Sequence, residues 1–229
     1  MPVDCSGAGI TGDRMDEFRK RILEWGRRNL VPYPWRGTQD PYRVLVAEVL
    51  LHRTRSEQVV PVYEKFISRY PDVDSLCRAE YSDLEALLLP LGLRWRIKKL
   101  KEMARTLAER FGSRIPEDYG ELVTLPGVSD YIASAVRCFA FGHPEPLLDT
   151  NTVRVAGRFF GIRVTDSTRR SRKFREFMKK LVPAENPRLF NYALLDYGKL
   201  VCTSRNPRCE SCVLRHMCCQ YQTGGKKIK

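Results

Sequence analysis

A group of cysteines near the C-terminal end most constrains how this 229-residue chain can fold. Five of the eight cysteines fall between residues 202 and 219, and four follow the spacing C-x6-C-x2-C-x5-C: Cys202, Cys209, Cys212 and Cys218. Four thiolates this close in sequence can surround one compact centre, either zinc or an iron–sulfur cluster. A zinc ribbon usually pairs two C-x2-C knuckles, so the single knuckle here favours iron–sulfur. The neighbouring Cys219 is an alternative to Cys218, with a different loop length.

The charge balance indicates a polyanionic partner. Lys and Arg number 40 against 27 Asp and Glu, which gives a formal net charge of +13. Such an excess favours nucleic acid first and an anionic membrane surface second. The apolar runs are far shorter than the roughly 18 residues of a membrane span, and no secretion leader opens the chain. We therefore expect a soluble, cytoplasmic, nucleoid-associated protein without a disulfide framework or membrane contact.

Apolar residues repeat at helical spacing along most of the chain, and the alternation of a strand never persists. The pattern predicts an all-α fold with short connections. A first helix runs through Phe18, Ile22 and Leu30, and a second begins after Asp40. Further helices are predicted at 57–69, 81–89, 94–111, 117–123, 129–141, 150–160, 169–181 and 187–200. Residues 1–14 lack periodicity, and we expect them to be disordered.

A short turn between two helical patterns is suited to bind phosphate. It reads Leu125-Pro126-Gly127-Val128-Ser129, in which the glycine permits a tight hairpin. The helix that follows begins with unpaired amide groups, which form an anion site without any charged side chain. Taken alone, the same residues also fit an ordinary helix–helix turn with Ser129 as the N-cap.

The order of these motifs resembles the helix-hairpin-helix DNA glycosylases that carry a [4Fe-4S] cluster. The resemblance runs from about Phe18 to Cys218 and includes Leu148-Asp149 before the helix at 150–160. It implies a two-lobed fold with the active site in the cleft between the lobes. One lobe would be a six-helix barrel domain at 35–142 with the hairpin. The other would be the cluster domain, residues 15–34 plus 143–229, with the four cysteines as cluster ligands.

Two further segments resemble the adenine-DNA glycosylases and the archaeal thymine-DNA mismatch glycosylases. They are Pro34-Trp35-Arg36 and the run from Ala47 to Thr54, which contains Glu48. Endonuclease III relatives lack an acid at that position and carry a catalytic lysine where this chain has Tyr131. Without that amine no Schiff base forms with the sugar, so we expect little or no AP-lyase activity. The tyrosine resembles the thymine enzymes, whereas adenine enzymes usually have serine there and an additional C-terminal domain, for which we expect no room here.

The resemblance also assigns chemistry to single residues. Asp149 matches the catalytic aspartate, which stabilises an oxocarbenium-like sugar, activates water or bonds transiently to the sugar; a plain N-cap is the alternative. Glu48 lies in an apolar run, so its pKa should be raised and it could protonate the departing base or manage water. A structural salt bridge with an arginine is its alternative. Asn151 would support the aspartate, and Tyr131 would stand at the mouth of the base pocket.

The same resemblance also indicates which residues would contact DNA. His52 and Arg53 lie at the wedge position, where one side chain enters the duplex beside the orphan guanine. Leu125, Gly127 and Ser129 would form the phosphate-binding hairpin. The family usually reads Gly-Val-Gly and then a basic residue, whereas here Ser129 and Asp130 follow. The serine keeps its backbone amide, but the aspartate places a negative charge near the phosphate.

Together these features predict a monomeric, monofunctional glycosylase of base excision repair, which removes thymine or uracil mispaired with guanine in double-stranded DNA. The nearest alternative is an adenine-DNA glycosylase acting on A·G or A·8-oxoguanine pairs. A second alternative, from another class, is a catalytically silent DNA-binding module that carries the cluster.

Overall fold

The computed structural model describes residues 10–92 and 95–224, and these residues fold as helices without any β-strand. The predicted all-α fold is confirmed. No helix in the described part of the chain combines the length and apolar character needed to cross a bilayer. The chain divides into two compact units. The central unit is Pro32–His143, and the terminal unit joins the two ends of the chain, up to Val31 and from Pro144 onward. These limits fall close to the predicted boundaries at 34/35 and 142/143.

The central unit has seven α-helices within its described residues, one more than the predicted six. They are α2 (Pro41–Leu51), α3 (Ser56–Arg69), α4 (Val73–Arg78), α5 (Tyr81–Leu88), α6 (Trp95–Phe111), α7 (Tyr119–Thr124) and α8 (Asp130–Phe139). Helix α4 has only six residues, and the helical periodicity of the sequence does not predict it. It is fixed by a capping box in which the Asp72 carboxylate accepts from the Ser75 amide at 2.8 Å.

Helix α2 is the core of the central unit. Asp40 caps it by accepting from the amide of Arg43 at 3.0 Å, and Pro41 occupies the first turn, where a missing N–H costs nothing. Every residue from Val44 to Leu50 is buried. A helix that is apolar all round must be covered on all sides, and α2 accordingly packs against both α3 and α8.

The terminal unit contains α1 (Gly12–Asn29), α9 (Thr150–Phe160), α10 (Arg172–Leu181), α11 (Pro187–Leu200) and the short α12 (Cys219–Gln222). Helix α1 packs on α11, and its Phe18 and Ile22 join a core with Phe159, Phe160 and Phe190. The expectation of disorder up to residue 14 is wrong at its end, because α1 begins at Gly12 with Thr11 as the N-cap. Residues 1–9, also expected to be disordered, lie outside the described residues.

Arg14 connects helix α1 to the C-terminal segment around Met217 through hydrogen bonds. Its buried guanidinium donates from Nη2 to the carbonyl oxygens of Phe159 and Met217, each at 2.9 Å, and lies over the Phe159 ring. A buried charge is tolerated when it is hydrogen-bonded. The two ends of the chain are therefore joined by specific bonds as well as by apolar packing.

Candidate active site and metal centre

Asp149 is the N-cap of α9, and its carboxylate is held by three N–H donors. Oδ1 accepts from the amides of Asn151 at 2.9 Å and Thr152 at 2.7 Å, while Oδ2 accepts from Asn151 Nδ2 at 3.1 Å. Thr152 Oγ1 accepts in return from the Asp149 amide at 3.0 Å, which completes a capping box. The cap and the predicted catalytic role do not conflict, because the hydrogen bonds of the cap hold the carboxylate in a fixed orientation at the start of α9.

Desolvation raises the pKa of Asp149 above its ordinary value, although the hydrogen bonds from Thr152 and Asn151 and the charge of Arg154 act in the opposite direction. Burial disfavours the charged form of a carboxyl group, and here that effect exceeds the stabilisation by the donors. A carboxylate with a raised pKa and a fixed orientation has the properties of a group that acts on a substrate.

Asn151 is held in place by Arg154, which also reaches the cysteine segment. Arg154 Nη2 donates to Asn151 Oδ1 and to the Gly198 carbonyl oxygen, each at 2.7 Å, and Nε donates to the Cys202 carbonyl oxygen at 2.9 Å. A Cβ on Gly198 would lie 2.6 Å from the Cβ of Asn151. Only glycine at that position lets α11 approach the start of α9 so closely.

Glu48 and Tyr131 belong to the central unit, on two helices that pack together. Glu48 lies within α2 with 6% of its surface exposed, which agrees with the burial expected from its apolar neighbours. Tyr131 lies in the first turn of α8 and is half-buried. No lysine amine occupies that turn, where α8 begins with Asp130, Tyr131 and Ile132.

The predicted hairpin is present between α7 and α8. Gly127 has a φ of +87°, a left-handed conformation that favours glycine, and the Val128 amide donates to the Leu125 carbonyl oxygen at 3.0 Å to close the turn. Ser129 caps α8 through the Ile132 amide at 3.3 Å. The Leu125 side chain is 2% exposed and packs in the core of the central unit, so a contact of Leu125 with DNA stays a prediction for its main chain.

Asp130, the acid that departs from the family pattern, is engaged locally. Its Oδ1 accepts from the Tyr119 hydroxyl at 2.6 Å. This bond joins α7 to the start of α8 across the hairpin. The Asp130 carboxylate therefore has a hydrogen-bond partner in Tyr119. It does not need the amides at the start of α8, which the prediction assigns to a phosphate.

His52 and Arg53 form the turn between α2 and α3. His52 is the C-cap of α2, and Arg53 has a φ of +60°, which is uncommon for a residue with a side chain. Arg96 lies beneath them and is 1% exposed. Its Nη1 donates to the Leu50 carbonyl oxygen at 2.7 Å and its Nη2 to Thr54 Oγ1 at 3.0 Å. The buried guanidinium thus satisfies the C-terminal end of α2 and fixes the turn.

The four cysteines of the motif line one cavity of about 500 Å³ in the terminal unit, and all four thiols are free of disulfides. No three His, Cys, Asp or Glu side chains among the described residues are grouped closely enough to hold a single metal ion. The four cysteines that line this cavity are the residues that would hold an iron–sulfur cluster. Burial raises the pKa of the Cys218 thiol to about 12, so the thiolate form requires the metal.

The surroundings of this cavity also fit an anionic cluster. Four arginines line it: Arg158, Arg205, Arg208 and Arg215. Arg158 Nη1 lies 3.5 Å from Cys202 Sγ and 2.7 Å from the Thr203 carbonyl oxygen, so it holds both the ligand and its loop. The Tyr197 hydroxyl lies 2.9 Å from Cys212 Sγ. Partners of this kind orient metal ligands and balance their charge.

Comparisons with known proteins agree with this arrangement. Residues 46–183 match the model of the HhH-GPD superfamily base excision DNA repair protein, and residues 202–218 match the iron-sulfur binding domain of endonuclease III. The chain belongs to the HhH-GPD superfamily of base excision DNA repair proteins, within which it is a DNA glycosylase that carries a [4Fe-4S] cluster.

Several relatives are similar over nearly their whole length. The thymine-DNA glycosylase of Aeropyrum pernix is 39% identical over 216 residues, which cover 91% of this chain and 96% of the relative. The thymine/uracil-DNA glycosylase of Pyrobaculum aerophilum is 40% identical, covering 98% and 100%. A solved thermostable thymine-DNA glycosylase is 32% identical with a TM-score of 0.88, covering 92% of this chain and 98% of that one.

Sequence reasoning missed the arginines that organise these sites, of which Arg96 is buried and Arg154 and Arg158 are partly buried. Arg154, Arg158 and Arg96 were not singled out, because an arginine on a helix usually faces solvent. One signal was available. Asn151, Arg154 and Arg158 are three and four residues apart and therefore share one face of α9. This face begins beside the predicted catalytic aspartate and carries the arginines that contact the cysteine segment.

Proposed function

We propose that the protein hydrolyses the N-glycosidic bond of thymine, and of uracil, mispaired with guanine in double-stranded DNA. It acts as a monomer on the DNA of the nucleoid and has little or no AP-lyase activity. Support for the substrate comes from the nearly full-length similarity to thymine- and uracil-DNA glycosylases. Support for the missing lyase step comes from Tyr131, which occupies the helix start where an amine would be required.

The observation that carries the chemistry is the oriented carboxylate of Asp149. In the proposed reaction the bond between C1′ and the base nitrogen breaks, and the base leaves with the electron pair. The carboxylate stabilises the positive charge that develops on the sugar, and water then bonds to C1′ and loses a proton. The three N–H donors hold the carboxylate in one orientation, so it needs no reorganisation at the moment of reaction.

The other residues have supporting roles in this proposal. Asn151 positions Asp149 through its side-chain amide. Glu48, buried in α2, delivers a proton to the departing base or holds the attacking water. Tyr131 contacts the extruded pyrimidine.

DNA is held by separate parts of the central unit. The amides that follow Gly127 and Ser129 bind a backbone phosphate at the start of α8. His52 or Arg53 fills the space that the extruded base leaves. The net charge of +13 supplies sequence-independent affinity.

The proposal is tested by single-turnover assays on labelled duplexes with a central G·T, G·U, A·8-oxoguanine or G·C pair, each read with and without alkali. We expect the G·T and G·U strands to break only after alkali, which reveals a base-free site without lyase action. Asp149→Asn should slow base release by about 100-fold or more. Asp166→Asn, an exposed aspartate of the same unit, is the matched control and should behave as wild type.

Other outcomes would contradict specific parts. Release of adenine alone would assign the protein to the adenine branch. Breaks without alkali would mean that an amine attacks the sugar. DNA binding without any base release, in a protein that retains its cluster colour, would identify a silent binding module.

A further inference from the structure

Helix α10 of the terminal unit presents a strongly positive face. Four exposed cations lie along it: Arg172, Lys173, Lys179 and Lys180. Among the residues that the structure describes, no carboxylate forms an ion pair with any of the four. Glu176 is the only acidic residue of the helix. Because a patch of like charge opposes the folded state through self-repulsion, we expect it to serve a negatively charged partner.

This helix is fixed on its inner side and at both ends. Phe174, Met178 and Leu181 are buried in the core of the terminal unit. Ser171 caps the first turn by accepting from the Phe174 amide at 3.3 Å. At the other end, Arg19 of α1 donates from Nε to the Leu181 carbonyl oxygen at 3.1 Å. A surface that is already ordered loses little conformational entropy when it binds a partner.

The spacing of the four cations suits the phosphates of duplex DNA. Arg172 and Lys179 are seven residues apart, as are Lys173 and Lys180, so the members of each pair lie on one side of the helix about 10 Å apart. Each strand of B-DNA carries one phosphate per ~3.4 Å of helix axis. A duplex that lies along α10 therefore offers about three phosphates of each strand over this length.

Charge, rather than apolar surface, dominates this face. A groove of about 750 Å³ lies beside it, and three apolar residues, Ile10, Met15 and Phe177, line the groove together with three of the cations. The Phe177 ring packs against the rings of Phe160 and Phe174, with centroid distances of 5.2 Å and 5.6 Å. Met15 is buried, and Ile10 is 37% exposed. Little apolar surface is therefore left for a protein partner, which favours DNA.

The basic face lies away from the residue that is proposed to act on the sugar. Phe177 of α10 contacts Phe160, the last residue of α9. Asp149 caps the first turn of the same helix, and the 11 residues of α9 span roughly 16 Å. The reacting carboxylate and α10 are therefore at opposite ends of α9.

We propose that the basic face of α10 binds a second stretch of duplex DNA, whatever its sequence, while the first stretch occupies the reaction site. Contacts between cations and phosphates carry no sequence information, and they let a protein slide and hop along DNA. A second contact of this kind would keep the enzyme on the DNA while it moves between neighbouring segments. The inference rests on DNA binding by the proposed glycosylase but is independent of which base it removes.

The test keeps the reaction site occupied and measures the binding of a second duplex. One short duplex carries a stable tetrahydrofuran abasic analogue opposite guanine and a donor dye. An undamaged duplex carries the acceptor dye, so that energy transfer reports protein that holds both. Lys179→Gln combined with Lys180→Gln should weaken binding of the undamaged duplex about 10- to 60-fold near ~0.1 M salt. It should also reduce the slope of log affinity against log salt concentration by about 2.

The matched control is Lys20→Gln combined with Lys65→Gln, which removes two exposed lysines from other helices and changes the net charge equally. This control should bind the second duplex as wild type does. An equal loss in the two double variants would mean that only the net charge matters, and would overturn the proposal. An unchanged affinity and salt slope for the α10 variant would overturn it as well.

Two further outcomes are decisive. Absence of energy transfer with the wild-type protein would overturn the proposal and would favour an acidic protein as the partner of α10. Slower base release from a short G·T duplex by the α10 variant, with a wild-type melting temperature, would place α10 in the interface at the reaction site and would also overturn it. Because neither labelled duplex has to be cleaved, failure of the G·T assay with the wild-type protein would leave the energy-transfer result unaffected.

Discussion

Asn151 and Cys202 are joined by the guanidinium of Arg154, which donates to the side-chain oxygen of the first at 2.7 Å and to the carbonyl oxygen of the second at 2.9 Å. Asn151 in turn holds the Asp149 carboxylate. The loop that supplies the first cluster ligand and the residue proposed to act on the sugar are therefore three hydrogen-bonded contacts apart.

Arg154→Ala should impair both ends of this chain of contacts. We expect base release to slow by about 10- to 100-fold, as is typical when the partner of a ligand or reactive group is removed, and the cluster to be lost faster in air. Single-turnover rates and the decay of the cluster absorbance measure the two effects. Arg169→Ala, an exposed arginine of the same unit, is the control. Wild-type rates for Arg154→Ala in both assays would show that the contacts do not matter.

Gly198→Ala should disturb Asn151 without touching its hydrogen bonds directly. The new methyl group would lie 2.6 Å from the Asn151 Cβ and 3.2 Å from its main chain, so one helix has to move. Overpacking of this kind costs about 1–3 kcal/mol of stability, and base release should fall with it. Gly12→Ala adds a methyl group where nothing lies within 4 Å and should not destabilise the protein. Thermal melting and single-turnover rates compare the two, and equal behaviour would contradict the prediction.

The pH dependence of base release should reflect the raised pKa of Asp149. If the ionised carboxylate is the active form, the rate falls as the pH drops through that pKa, and this fall begins above the range of an ordinary aspartate. Single-turnover rates across the acidic range measure it. A flat profile down to the ordinary pKa of an aspartate would argue against a role for this carboxyl group.

The free energy of unfolding should change with pH in the opposite direction to the rate of base release. Because the folded protein holds the proton of Asp149 more tightly than the unfolded chain does, ionisation opposes folding, and this loss of stability appears as the pH rises through the two pKa values. Asparagine keeps the cap but does not ionise. We expect Asp149→Asn to melt at the same temperature as wild type or higher at neutral pH, while its activity is lost. A clearly lower melting temperature would contradict this account.

Tyr131→Lys should introduce the missing lyase step. The lysine would place an amine in the first turn of α8, where it can attack the sugar, and some G·T strands should then break without alkali. Borohydride trapping of the Schiff base measures the same event as a covalent protein–DNA adduct. Tyr131→Gln, which lacks the amine, is the control. No trapped adduct with lysine would mean that position 131 does not face the sugar.

Tyr197→Phe should change the properties of the cluster more than the rate of base release. A cysteine that binds iron is a thiolate and can only accept, so the Tyr197 hydroxyl donates to Cys212 Sγ. Hydrogen bonds to cluster sulfurs favour the more negative, reduced state, so their loss should lower the reduction potential. Protein-film voltammetry measures it, with Tyr192→Phe on the same helix as the control. An unchanged potential would rule out this bond.

The sequence predicted the features that depend on local pattern. Helices α9 and α11 begin and end where their periodicity and caps placed them, while the short helices α4 and α12, of six and four residues, were not predicted. The structural role of Arg96 was not predicted for a different reason. A buried guanidinium that serves a backbone carbonyl 46 residues away leaves no trace in the neighbouring sequence, and only the packing of α6 on the α2–α3 turn reveals it.

In the terminal unit, α1 packs on α11, and Arg14 donates to the Met217 carbonyl oxygen. Because these partners are far apart in sequence, the order in which the chain is synthesised decides when this unit can fold. The first helix emerges early, yet the surface that covers its Phe18 and Ile22 is synthesised only after the whole central unit. During that interval the central unit can close, because its contacts lie within one continuous stretch, whereas α1 stays uncovered. The four cysteines can hold a cluster together only after Cys218 has left the exit tunnel, so the cluster site is completed after the central unit has been synthesised.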